Sequence, residues 1–263
     1  MNPRGSLLSL PGVPPLLSLA ALLVLWQLAA RLAGIEGLPS ATRVIAALPA
    51  IVFNPGSLIE IGASLGRMAI GFLIALLVAI PTGLVMGRSR AVAGFLNPLL
   101  ALIYPVPKAA LMPVIMLWFG VGDFSKMLVI FLGVSLPLVF HSYAGARAVD
   151  EKLVWSAMAM GMPAHRRVFA IILPSALPEV MLGCRVGIAM ALIVMVSSEM
   201  IARQSGVGNL LFNSLDMAQY DTVYATIIVI GAIGFALDAL FETVRRRLTF
   251  WAEVREETVV GTG

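Results

Sequence analysis

Charge is scarce in this chain: Asp, Glu, Lys and Arg make up 12% of its 263 residues, against 60% hydrophobic types. So few ions could not cover the apolar surface of a soluble domain of this length, so a water-soluble globule is excluded and a membrane is expected. The mean hydropathy of +0.97 points the same way. Cysteine is limited to Cys184, which rules out an intrachain disulfide and leaves the redox compartment open. Histidine occurs only at His141 and His165, in different regions and with no Cys or carboxylate at ligand spacing, so no metal centre is expected. None of the lysines, Lys108, Lys126 and Lys152, follows a Gly or precedes a Ser or Thr. A Walker A phosphate loop is therefore absent. Nor do the basic residues form a patch interleaved with aromatics, which removes the nucleic-acid reading.

What is present in quantity is long apolar runs. A bilayer core about 30 Å thick needs roughly 20 apolar residues per helical crossing. Six segments meet that length, near residues 14–33, 61–86, 92–118, 126–146, 179–202 and 222–246. The expected fold class is therefore all-α, a polytopic membrane protein with six transmembrane helices. Arg4 before the first run and small residues near Ala29 and Ala30 also fit a cleaved signal peptide, but the run is long enough to read better as a spanning anchor. The third segment is interrupted by Pro98, Pro105, Pro107 and Pro113, so it is expected to be kinked or broken, its freed carbonyls satisfied by neighbouring helices.

Lys and Arg set the orientation. With the N-terminus inside, eleven fall on the cytoplasmic side (Arg4, Arg88, Arg90, Arg147, Lys152, Arg166, Arg167, Arg245, Arg246, Arg247, Arg255) and five on the other (Arg31, Arg43, Lys108, Lys126, Arg203). Both termini and residues 147–178 are then cytoplasmic. That loop reads as two short helices: Asp150 and Glu151 favour a start, Gly161 a stop, and Pro163 the first turn of a second helix running to a break at Leu173-Pro174. Trp155, Met158, Ala159 and Met162 recur at i, i+3, i+4 and i+7, an apolar stripe that either packs back on this chain's own helices or docks a cytoplasmic partner.

At this loop the sequence resembles a family. Ala157, Gly161, Ile171, Leu173 and Pro174 stand at the spacing E-A-A-x3-G-x9-I-x-L-P, the EAA loop of permease subunits of bacterial ABC importers, with Trp155 and Ser156 where the motif has Glu and its first Ala. The segments SLGRMAIGFLIALLVAIPTGLVMG (64–87), YPVPKAALMPVIMLWFGVGDFSK (104–126), SALPEVMLGCRVG (175–187) and SEMIARQSGVGNLL (198–211) are similar to the nitrate/sulfonate/taurine branch. The resemblance implies a single permease domain over 1–263 in a bacterial inner membrane, forming the translocation pathway of a type I importer for a small anion. It further implies a second permease copy, cytoplasmic ATPase subunits that bind ATP and Mg, and an extracytoplasmic substrate-binding protein. On this chain it implies an ATPase-coupling loop carrying Trp155, Ser156, Ala157, Met158, Gly161, Met162, Ile171, Leu173 and Pro174.

A rival from another class rests on Gly62-Ala63-Ser64-Leu65-Gly66, which spells the serine-hydrolase signature G-x-S-x-G. With His141 it suggests an intramembrane serine protease. Here, however, the pattern opens an apolar helix rather than a strand-to-helix turn. Gly62 with Gly66, Gly83 with Gly87 and Gly183 with Gly187 also form G-x-x-x-G, which lets helices approach closely. Charges inside spans need a compensating contact. Arg67 and Glu199 both lie near outer helix ends, and Ser64, Arg67 and Gly71 share a face, so Arg67 either pairs with Glu199 or attracts an anion in the pathway. Asp238 lies inside the sixth segment, and Arg185 is near enough to a cytoplasmic end to snorkel.

Overall fold

The computed structural model describes residues 13–252, and these form helices without a strand. Arg4 and Arg255, used for the orientation, lie outside the described residues. The all-helical result follows from the apolar runs, because a backbone inside lipid must satisfy its hydrogen bonds within the segment. In chain order the helices are α1 (Val13–Ala33), α2 (Ala41–Val52), α3 (Pro55–Arg88), α4 (Arg90–Ile103), α5 (Met112–Phe119), α6 (Asp123–Ala148), α7 (Glu151–Ala159), α8 (Ala164–Arg167), α9 (Leu173–Ala202), α10 (Val207–Asp216) and α11 (Tyr220–Leu248). The short helices α2 and α10 were not expected from the sequence, since neither carries a run of spanning length.

Two compact units divide the chain, one of residues up to 59 with 210–230, the other of 60–209 with the remainder after 230. In the first, Val44, Ile51 and Ala225 form a small buried core. Trp26 donates its indole N–H to the Pro39 carbonyl at 3.1 Å and stacks on Tyr224, and Arg43 pairs with Asp221 at 2.8 Å.

The second unit is built around α6, whose contacts fix its neighbours' directions. A Cβ on Gly71 would press on Ile130, one on Gly83 would lie 2.5 Å from the Ser142 Cβ, and one on Gly87 would lie 2.5 Å from the Ala146 Cβ. Residue numbers rise together along these contacts, so α3 and α6 run parallel. Against α9 they run oppositely: Gly133 meets Val194, His141 meets Gly183, and Gly145 meets Ala176. Because α3 and α6 are parallel, the segment joining them must travel from the Arg88 end of the bundle to the end where α6 begins.

That joining segment is the proline-rich third run. It consists of α4, an irregular stretch, a 3-10 turn at Lys108–Leu111 and α5, with a bend of 81° between its halves. Pro105 and Pro107 sit at the break, where neither can donate a backbone N–H. Lys108 folds back and donates its ammonium to Ile103 O and Val106 O, each at 2.6 Å.

Among the described residues, four helical stretches are long and apolar enough to cross a membrane alone: α3, α6, residues 164–202 and α11; the bent pair, counted as one span, brings the number to five. The sixth expected span rests on α1, of which Leu17–Ala33 is apolar but shorter. A further difference concerns Leu173-Pro174, which does not break the chain. The helix begun at Ala164 continues to Ala202, through a π-turn at Val168–Ile172 immediately before Leu173-Pro174. Widening the turn there accommodates the carbonyl that the proline leaves unpaired. The second helix of the expected loop is therefore continuous with the helix of the fifth expected span.

Candidate functional site

Three stretches far apart in sequence bring a cluster of charge together in the second unit. Arg67 on α3 is buried and uses all its nitrogens: Nε donates to Asp123 Oδ1 at 2.6 Å, one terminal nitrogen to Glu199 Oε1 at 2.7 Å, and the other to Ser205 Oγ at 2.6 Å. Glu199 is fully buried and also accepts from Ser64 Oγ at 2.8 Å and from the Gly208 N–H at 3.1 Å. Ser64 Oγ in turn accepts the Val207 N–H at 2.9 Å, and Glu60 accepts the Gly206 N–H. The first N–H groups of α10, which no helix can satisfy internally, thus find their acceptors on α3 and α9. Gly206 has φ +105°, and a Cβ there would collide with the Glu199 carboxylate. Position 206 accordingly needs glycine twice over, for backbone conformation and for space.

Lys126, counted as an external topology charge from the sequence, is instead 1% exposed and donates to Ser205 O at 3.0 Å. Sequence reasoning named Ser64, Arg67 and Glu199 but missed Glu60, Asp123, Lys126 and Ser205. Signal was present for three of them: Asp123 and Lys126 lie in GVGDFSK and Ser205 in SEMIARQSGVG, within the stretches that carry the family resemblance, whereas Glu60 lies outside them.

Other sequence readings change as well. A Cβ added at Gly62 or Gly66 would meet nothing within 4 Å, so close packing of α3 falls to Gly71, Gly83 and Gly87 instead. Arg185 does more than reach toward the interface: it binds Asp238 on α11 with two bonds of 2.7 Å. His141 Nδ1 lies 2.8 Å from Glu179 Oε1. Ser64 is buried against Glu199 and Val207, so the hydrolase pattern gains no support.

The loop has a different character. Asp150 caps α7 by accepting the Lys152 N–H at 2.9 Å, and Gly161, at φ +74°, follows its end. Val154 and Ala157 turn inward and are buried, while Trp155 is 60% and Met158 52% exposed. Ser156 and Ala159 are also exposed and Met162 is half-buried. The stripe thus points away from this chain's own helices. Ile171 lies in the π-turn, and Leu173 and Pro174 open α9, all three half-buried.

A bundle of apolar helices with Arg67 and Glu199 locked together inside its second unit, and an apolar face left open on a short loop helix, defines a polytopic α-helical membrane protein. Residues 71–250 match the family described as the binding-protein-dependent transport system inner membrane component. The chain belongs to that family, which makes it a multi-pass membrane component of a transport system. It is 34% identical over 241 residues to the taurine transport system permease protein TauC of Escherichia coli, covering 89% of this chain and 88% of that one. It is 29% identical to the putative aliphatic sulfonates transport permease protein SsuC of Bacillus subtilis, over 88% and 85% of the two chains. Identity to the nitrate import permease protein NrtB of Synechocystis is 27%, over 90% and 89%. Among solved structures, an inward-facing MetNI methionine ABC transporter chain shares the fold, with a TM-score of 0.63 at 12% identity, over 73% of this chain and 95% of that one.

Proposed function

We propose that residues 1–263 act as one permease domain of an ABC importer, forming with a second copy the translocation pathway for a small anion such as a sulfonate, taurine or nitrate. ATP and Mg are bound by separate cytoplasmic ATPase subunits, and an extracytoplasmic binding protein delivers the solute. Both termini and the 147–178 loop face the cytoplasm. The anion reading is supported by the names of the relatives, which cover nearly the whole chain.

The observation that carries the coupling role is the outward face of α7, where Trp155 and Met158 stand exposed while Val154 and Ala157 anchor the helix. An apolar face on a loop outside the bilayer gains by being covered, at about 25 cal/mol per Å² of apolar surface removed from water. ATP closes the ATPase pair, α7 moves with it, and because the fifth span starts inside the same loop the movement passes directly into α9. Arg67 and Glu199 serve this machine as a brace rather than as pathway lining, since every Arg67 nitrogen is already engaged.

The test is uptake of labelled taurine, an alkanesulfonate and nitrate into cells that lack their own importers and express this chain with its partner ATPase and binding protein. Uptake lost in Trp155→Ala/Met158→Ala, together with ATPase co-purification, is the expected result. Retained ATPase and full uptake in that variant would remove the coupling role, and transport of none of these anions by an intact assembly would remove the solute class.

A further inference from the structure

The break in the third span combines two features that do not belong against lipid. Tyr104 is 65% exposed, and residues 104–107 as a whole are exposed and outside regular helix. The break also lies well inside the bundle. Tyr104 packs edge-on against Phe140 with ring centroids 5.8 Å apart, and Phe140 is eight residues before the end of α6, about 12 Å by helical rise. Irregular backbone at membrane depth is tolerated only where protein buries it or where it lines a water-filled cavity.

The second feature is Lys108. Its ammonium is held by the carbonyls of Ile103 and Val106, with Tyr104 O a more distant partner at 3.4 Å, and it forms no ion pair with any described carboxylate. Among the other charges of this unit inside the spans, Arg67 is paired with Asp123 and Glu199 and Arg185 with Asp238, while Lys126 is buried and donates to Ser205, the residue that also accepts from Arg67. Carbonyl oxygens orient the ammonium without neutralising it, so the break presents a net positive charge fixed at one depth.

We infer that residues 104–108 line the water-filled translocation pathway and that Lys108 is the group that favours anions there. This rests on the importer reading, and it adds a residue and a place for the anion preference. Discontinuous spanning helices offer such sites because a bend aims polar groups into a cavity at membrane depth. A small anion passing the break takes the place of the long Tyr104 carbonyl contact while the two short contacts keep the ammonium in position.

Because Cys184 is the chain's single cysteine and is buried, water access can be read directly at introduced thiols. In a Cys184→Ser background, Tyr104→Cys and Val106→Cys are placed one at a time in the permease–ATPase complex in membrane vesicles. Each is treated with an anionic or a cationic membrane-impermeant methanethiosulfonate. The expected result is reaction at both positions, with the anionic reagent favoured, and a several-fold fall in the anionic-to-cationic rate ratio when Lys108→Met is added. Lys108→Arg should keep the ratio. A purely structural role for Lys108 would change both rates together and leave the ratio constant, which overturns the anion assignment. If neither impermeant reagent reacts while N-ethylmaleimide does, the break is covered by lipid or by the second copy, and the pathway assignment falls. None of these rates depends on which solute is carried, so a wrong solute class would show itself separately in the uptake assay.

Discussion

Glu199→Ala should be among the most destabilising single changes in this chain. The substitution strips the acceptor from Arg67, from the Ser64 hydroxyl and from the Gly208 N–H, all of them buried. Breaking a buried ion pair by removing one partner costs about 3–5 kcal/mol, because the remaining charge stays out of water. At roughly 2–4 °C per kcal/mol for a chain of this size, the thermal midpoint should fall by on the order of 10 °C. Glu199→Gln keeps one oxygen as acceptor and trades a charge-assisted bond for a neutral one, so about 2 kcal/mol is expected. Asp123→Ala should cost about 1 kcal/mol or less, because that carboxylate side chain is 65% exposed and screened by solvent. Midpoints come from heating the detergent-purified protein and following the loss of the monodisperse peak on gel filtration. The ranking of the losses is the result that matters, with Glu199→Ala largest, Glu199→Gln next and Asp123→Ala smallest. A Glu199→Ala midpoint equal to wild type, or an Asp123→Ala loss exceeding it, would refute the brace. Exchanging the two charges, Arg67→Glu with Glu199→Arg, should not rescue folding, since the carboxylate placed at 67 would face Asp123.

Gly206→Ala should lower the midpoint as severely as Glu199→Ala, because the new Cβ meets the Glu199 carboxylate at a φ of +105° that alanine also resists; an unchanged midpoint counts against the geometry of this turn. Gly83→Leu or Gly87→Leu should force α3 off α6 and abolish the monodisperse peak, whereas Gly62→Ala should fold normally, since only the first two would place a Cβ 2.5 Å from a neighbouring one. Gly161→Val has open space around it, so its cost is backbone strain at φ +74°, about 1–2 kcal/mol. The bundle should insert normally while uptake or ATPase retention drops, and full uptake with normal retention would return the loop to a plain connector.

Composition and the spacing of apolar runs determined the class of this protein. Few ions and long apolar segments leave helices as the way to satisfy the backbone in lipid, and that is a property of the chain alone. The start of α7 at Asp150 and Glu151 and its stop at Gly161 were legible for the same reason, being local chemistry of one turn. What lies on which face of a neighbour was not legible. The G-x-x-x-G pattern is the same at Gly62/Gly66 and Gly83/Gly87, yet only the second pair meets α6, because the choice depends on where another helix passes. Lys126 reads as a surface charge in sequence and becomes buried because the first turn of α6 lies against the turn after α9 that carries Ser205, a contact 79 residues away along the chain. Pro174 reads as a break and is absorbed by a π-turn whose Val168, Ile171 and Ile172 pack into the core of the second unit. Periodicity reports what each segment can bury; only the folded bundle decides against what, since that energy arises between segments distant in sequence.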